Sequence, residues 1–232
     1  MKKHVTLFSS VLMMSTTLLG AGGVFADQVQ PNPNEAKTPI TANLTINEDD
    51  ITKPQPPTNP DEGGGDKPTD ISGLFGIAYA PDTLSAQDEL DNSSSEQRVS
   101  LAKDNKVKYN VGVQDKTRKN DQTWTLKAQL SWDGDDNNYM AGTKITGAQG
   151  NVKENVDGAL QELSDDQVTT TATDLTISQD SQVEIMKAVS GKTMNGVYNY
   201  QFSSPELVIP HPDKVAEGEY TGNITWNLSN AM

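Results

Sequence analysis

Apolar residues recur at every second position in a series of short stretches, without the spacing of a helix. The alternation runs over Ile71 to Tyr79, Val107 to Val113, Trp124 to Trp132, Leu175 to Ile177, Val183 to Ile185, Tyr198 to Phe202, Leu207 to Ile209 and Tyr220 to Leu228. Side chains on an extended chain point alternately to opposite faces, so each stretch predicts a strand with one face turned to a core. Asp133-Gly134, Asn195-Gly196 and Pro210-His211-Pro212-Asp213 supply turn chemistry between them. Many short strands without helices predict an all-β sandwich with Ig-like layers. Gly158 to Asp166 is read as one helical turn at most.

Two of the stretches share a spelling. Trp124-Thr125-Leu126 opens one, and Trp226-Asn227-Leu228 closes the other, after Tyr220. The three tryptophans, Trp124, Trp132 and Trp226, all fall in these two segments. Tryptophan carries a large apolar payload, so their confinement there predicts that the segments meet, paired, with all three rings around one end of a common core. Two readings of the rings stay open. They form an aromatic platform for a sugar or a partner side chain, or they belong to the core beside Leu126, Leu130, Ile224 and Leu228, which share their faces.

The paired motifs, with VGVQDKTRKNDQTWTLKAQLSWD around the first and EGEYTGNITWNLSN around the second, closely resemble the WxL-domain surface proteins of low-GC Gram-positive bacteria. The likeness runs from about Thr41 to Asn230. It implies a β-sandwich that is exported and held non-covalently on the cell wall through peptidoglycan, often encoded beside related surface proteins that bind it. The residues carrying the motif are Trp124, Leu126, Tyr220, Trp226 and Leu228.

Outside that domain the chain reads differently. Lys2, Lys3 and His4 precede an apolar and small-residue core, and Val24-Phe25-Ala26 offers a cleavage site, so residues 1–26 are expected to be a signal peptide. No second hydrophobic stretch of that kind follows, and no transmembrane span is expected in the mature chain. Residues 27–69 are rich in Pro, Asn, Asp, Thr and Gly, including Pro54-Gln55-Pro56-Pro57 and Gly63-Gly64-Gly65. Such a composition predicts a disordered linker or N-terminal arm. One candidate edge strand lies near 41–47, at Ala42, Leu44 and Ile46. The wall-binding domain is expected over 70–232.

Charge and cysteine content narrow the function. The formal net charge is −14, and loss of Lys2 and Lys3 takes it to −16. An acidic chain is a poor ligand for nucleic acid or for polyanionic teichoic acid, which leaves glycan or peptide as the wall target. Without cysteine there is neither a disulfide framework nor a lipid-modified cysteine. A sortase motif is also lacking, so retention is expected to be non-covalent at the cell surface. The alternative is an interaction or adhesion subunit, held there by a partner surface protein and contacting host or matrix proteins.

Catalysis finds little material. His211 is the only histidine after the signal peptide and sits between prolines, Asp165-Asp166 reads as a solvated pair, and no nucleophile, metalloprotease or phosphate-loop motif occurs. An enzyme is not expected, nor is a cofactor. Asp133-Gly134-Asp135-Asp136-Asn137-Asn138 has the oxygens of a cation loop, but Lys144 stands where a helix–loop–helix calcium site needs a bidentate glutamate. It reads as a solvated hairpin turn, with a weak cation site as the other possibility and no metal assigned. Lys116, Arg118 and Lys119 make a basic patch in the turn before the first motif, a candidate contact for stem-peptide carboxylates or an ordinary solvated turn.

Overall fold

The computed structural model describes residues 30–47, 52–59, 61, 65–102 and 108–230. The expected signal peptide lies outside them. The chain divides into two units, Met1–Thr45 and Ile46–Met232. In the first, residues 30–45 form neither helix nor strand, and Ile40 and Leu44 are 90% and 91% exposed. Residues 41–47 form no strand, which corrects the edge strand expected there.

Among the described residues of the second unit, twelve antiparallel strands form two sheets. The larger contains β1 (Asp66–Pro68), β2 (Phe75–Pro81), β4 (Lys108–Asp115), β11 (Gly196–Pro210), β6 (Lys144–Val156) and β7 (Ala159–Gln161), in that order. Two shorter strands pair beside this path, β3 (Glu96–Ser100) with β11 and β9 (Leu175–Ser178) with β6. The smaller sheet runs β12 (Thr221–Asn230), β5 (Trp124–Asp133), β10 (Val183–Ala188), β8 (Val168–Thr169). Tyr109, Val111 and Val113 of β4 and Tyr198, Tyr200 and Phe202 of β11 join Trp124, Leu126, Ala128 and Leu130 of β5 in one buried cluster. The two inner faces thus make the predicted β-sandwich.

Local departures have physical causes. Tyr198–Phe202 and Leu207–Ile209, predicted as two strands, belong to the single strand β11, which bends where its register shifts between Ser203 and Glu206. Ser204 there has φ 48°, and Pro205 has no N–H to give the ladder. Gly158–Asp166 is not helical. Gly158, at φ +88°, turns the chain between β6 and β7. The only helical geometry among the described residues is the 3-10 turn Pro212–Lys214.

The outer face of the larger sheet is also covered. Tyr79 lies over Gly112, where a Cβ would stand 2.3 Å from the tyrosine ring, so only glycine fits beneath it. Its hydroxyl donates to Asn199 Oδ1 at 2.9 Å and accepts from Asn155 Nδ2 at 2.8 Å. Asn199 continues to Asn110, whose amide and backbone N–H both donate to the Asp66 carboxylate. Asn155 also donates to Gln55 O, Thr58 N–H donates to Gly158 O, and Pro54 and Pro57 are buried. Residues 54–58 and β1, which the composition assigns to the linker, are therefore part of the sandwich. A buried polar group left unpaired is costly, so this connected network holds the segment in one position.

Candidate functional site

The two motif strands are adjacent. β5 and β12 pair over their whole length, with Leu228 opposite Leu126, Trp226 opposite Ala128 and Asn230 opposite Trp124. The three rings do not gather at one end, which corrects that expectation. Trp124 and Trp132 lie near opposite ends of β5, about 27 Å apart at 3.4 Å per residue, with Trp226 between them on the neighbouring strand.

Trp124 and Leu126 are both 0% exposed. β4 ends on Asp115, itself buried, whose carboxylate accepts Trp124 Nε1–H at 3.2 Å, Thr193 Oγ1–H at 2.9 Å and Thr117 Oγ1–H at 2.7 Å. The Tyr198 ring lies 6.0 Å from the indole. Only the folded chain brings Thr193 and Trp124 to the same carboxylate. In the sequence, Asp115 is just one acid among the lysines of the turn.

That turn carries the basic patch. Arg118 takes a left-handed φ of 54° and donates its N–H to Met194 O, while Lys116 N–H donates to Leu74 O. Arg118 and Lys119 are exposed and Lys116 is half-buried. The patch stands at the Trp124 end of β5.

The other end of the motif pair is open. Trp132, Tyr220, Ile224 and Trp226 are half-buried and line a cavity of about 1080 Å³ between the sheets. Its apolar floor includes Leu130, Ile145 and Leu207. Asp82, Asp88, Glu89, Glu217 and Glu219 also line it, and among the described residues no lysine, arginine or histidine does. Trp132 Nε1–H is occupied by Thr143 Oγ1 at 2.8 Å, so its ring is oriented by the domain itself. Tyr220 O–H donates to Ala216 O at 2.8 Å, and its ring meets Tyr139 edge-on at 6.5 Å. Desolvation, then Asp135 and Tyr139, raise its phenol above the ordinary value. Leu228 is half-buried further along β12. The loops 82–92 and 215–219, which contribute much of the lining, carry no alternation, so the pattern of the sequence does not point to them.

The remaining candidates are quiet. Asp135 turns its carboxylate onto the backbone N–H groups of Tyr139 and Met140, both at 2.8 Å, and Asp133 accepts from Asn223. Among the described residues no three acids or histidines gather as a metal site. His211 sits on the exposed loop at φ 56°, and Asp165 and Asp166 are exposed. No helix among the described residues is long and apolar enough to cross a membrane.

A family model described as "WxL domain surface cell wall-binding" matches residues 32–231. Neither curated proteins nor solved structures yield a match.

Proposed function

The chain belongs to the WxL-domain family of surface cell-wall-binding proteins, and from that premise we propose an exported, non-catalytic protein that attaches non-covalently to peptidoglycan through the cavity beside β12. The reading is carried by half-exposed rings set among oxygen acceptors. Trp132, Trp226 and Tyr220 offer flat apolar surface, and the acids on the lining accept hydrogen bonds from hydroxyl, amide or ammonium groups. Glycan strands and their peptides carry such donors. A few aligned polar groups on an otherwise apolar wall are what small-ligand sites share. Polyanionic teichoic acid is repelled by the same acids, so it is not the ligand.

Trp124 and Leu126 have a supporting part in this reading, since neither can touch a ligand while wholly buried. Tyr220, Trp226 and Leu228 belong to the strand that lines or flanks the cavity. The basic turn at Lys116, Arg118 and Lys119 is left outside the contact, at the far end of β5.

Purified mature protein should sediment with peptidoglycan stripped of teichoic acid, without any second protein, and more of it should be retained there than on intact wall. Trp132→Ala and Trp226→Ala should each weaken retention while the circular dichroism spectrum stays native. Undiminished retention in both would remove the cavity from the reading. Retention that appears only after a partner surface protein is added would instead select the adhesion-subunit alternative.

A further inference from the structure

The edges of the two sheets are not alike. β1 and β7 end the larger sheet with three residues each, β8 ends the smaller one with two, and β9 has four. β3 has five, including Glu96 and Arg98, and Arg98 is engaged with Glu96 and with Glu206. Short or charged edges are how sheets avoid pairing with other chains. β12 has neither protection. It is a ten-residue edge, TGNITWNLSN, without a charge or a proline, in a chain of which 22% is charged. Among the described residues no strand pairs with its outer side.

The smaller sheet also stops early. It is four strands wide against six on the main path of the larger sheet, and the cavity beside Ile224 and Trp226 lies between the sheets where the smaller one ends.

We propose that β12 is an interface between two copies of this chain, pairing antiparallel with itself about a two-fold axis through Thr225. In that register Thr225 faces Thr225, Ile224 faces Trp226, and Asn223 faces Asn227, so β-branched residues meet an aromatic ring and polar residues meet polar ones. No charge meets its own copy. For a chain with formal charge −14, this is the long edge on which two copies can approach without opposed acids. A two-fold contact is closed, so both free edges are consumed in a dimer rather than extending into a fibre.

The chain has no cysteine, which makes the register directly readable. Full-length mature Thr225→Cys should form an intermolecular disulfide under mild oxidation, since facing residues on antiparallel strands lie within about 4.5–5.5 Å between Cα atoms. Thr221→Cys, exposed on the same strand but away from the axis, should not. In sedimentation velocity the native protein should be a dimer in the micromolar range. Thr225→Glu and Thr225→Lys should each raise the dimer Kd roughly tenfold or more by opposing like charges, and an equimolar mixture should restore the dimer. A native protein that remains monomeric, or cross-linking that is equal at positions 221 and 225, would overturn the proposal. The cysteine variants read the register even if a charged variant fails to fold.

Discussion

β5 and β12 carry the same Trp-x-Leu spelling and are hydrogen-bonded to each other, yet Trp124 and Leu126 are wholly buried while Trp226 and Leu228 are half-exposed. The difference is one of neighbours. Over Thr125–Ala128, β5 has β12 on one side and β10 on the other, so an inward side chain at this end is walled on both flanks and capped by the larger sheet. β12 has β5 alone. An inward side chain on an edge strand keeps one flank open, whatever its hydrophobicity, and here that flank is the cavity. The indole nitrogens differ in the same way. Trp124 gives its N–H to buried Asp115, while on the open side of the pair Trp132 gives its own to Thr143 and leaves its ring half-exposed.

The largest effect should come from the indoles. Truncating a buried Trp costs about 3–5 kcal/mol, so Trp124→Ala should unfold the domain or lower its melting temperature sharply. Trp226→Ala removes less buried area and should cost about 1–2 kcal/mol. Equal losses in thermal melts of the two variants would break the distinction between centre and edge.

Next comes the carboxylate beneath the first motif. Asp115→Ala leaves the Trp124 N–H and the Thr193 hydroxyl buried without their acceptor, at a cost of about 2–3 kcal/mol. Asp133→Ala removes only an exposed contact to Asn223 on β12, and should stay within about 0.5 kcal/mol. Urea unfolding of the pair sharpens the comparison, and a similar loss for both would show that the Asp115 cluster is not what secures the central strand.

The smallest effect is alkaline. Burial lifts the phenols of Tyr79, Tyr198 and Tyr200 well above the ordinary tyrosine value, with the buried charge of a phenolate as the penalty. A folded pKa above the unfolded value of about 10 means that the stabilisation is complete below that pH and is lost as pH rises past it. Melting temperature should therefore fall above about pH 10. Tyr200→Phe should blunt the fall more than Tyr220→Phe, because Tyr220 lies at the half-exposed edge. An equal response would place the sensitivity elsewhere.

What could be read in advance was local. β4, β5, β9, β10 and β12 announce themselves through Val, Ile, Leu and aromatic residues at every second position. β6, the thirteen-residue partner of β11, does not, because Gly147 and Gly150 occupy positions where a side chain would strike Phe202, Tyr200 or the Ala172 carbonyl. Its burial is supplied by its neighbours rather than by its own apolar residues. The same reason hides β1, whose Asp66 is anchored by Asn110, 44 residues away.

Alternation and turn residues were enough by themselves to determine an all-β sandwich, because period two is a property of the chain's own geometry; the family showed in the resemblance carried by the two Trp-x-Leu segments. Which Trp-x-Leu strand became the centre and which the edge was decided only by long-range pairing: β10 settled against β5, and no described strand settled beyond β12. A residue's spelling sets which face it shows; the number of strands beside it sets how much of that face reaches water.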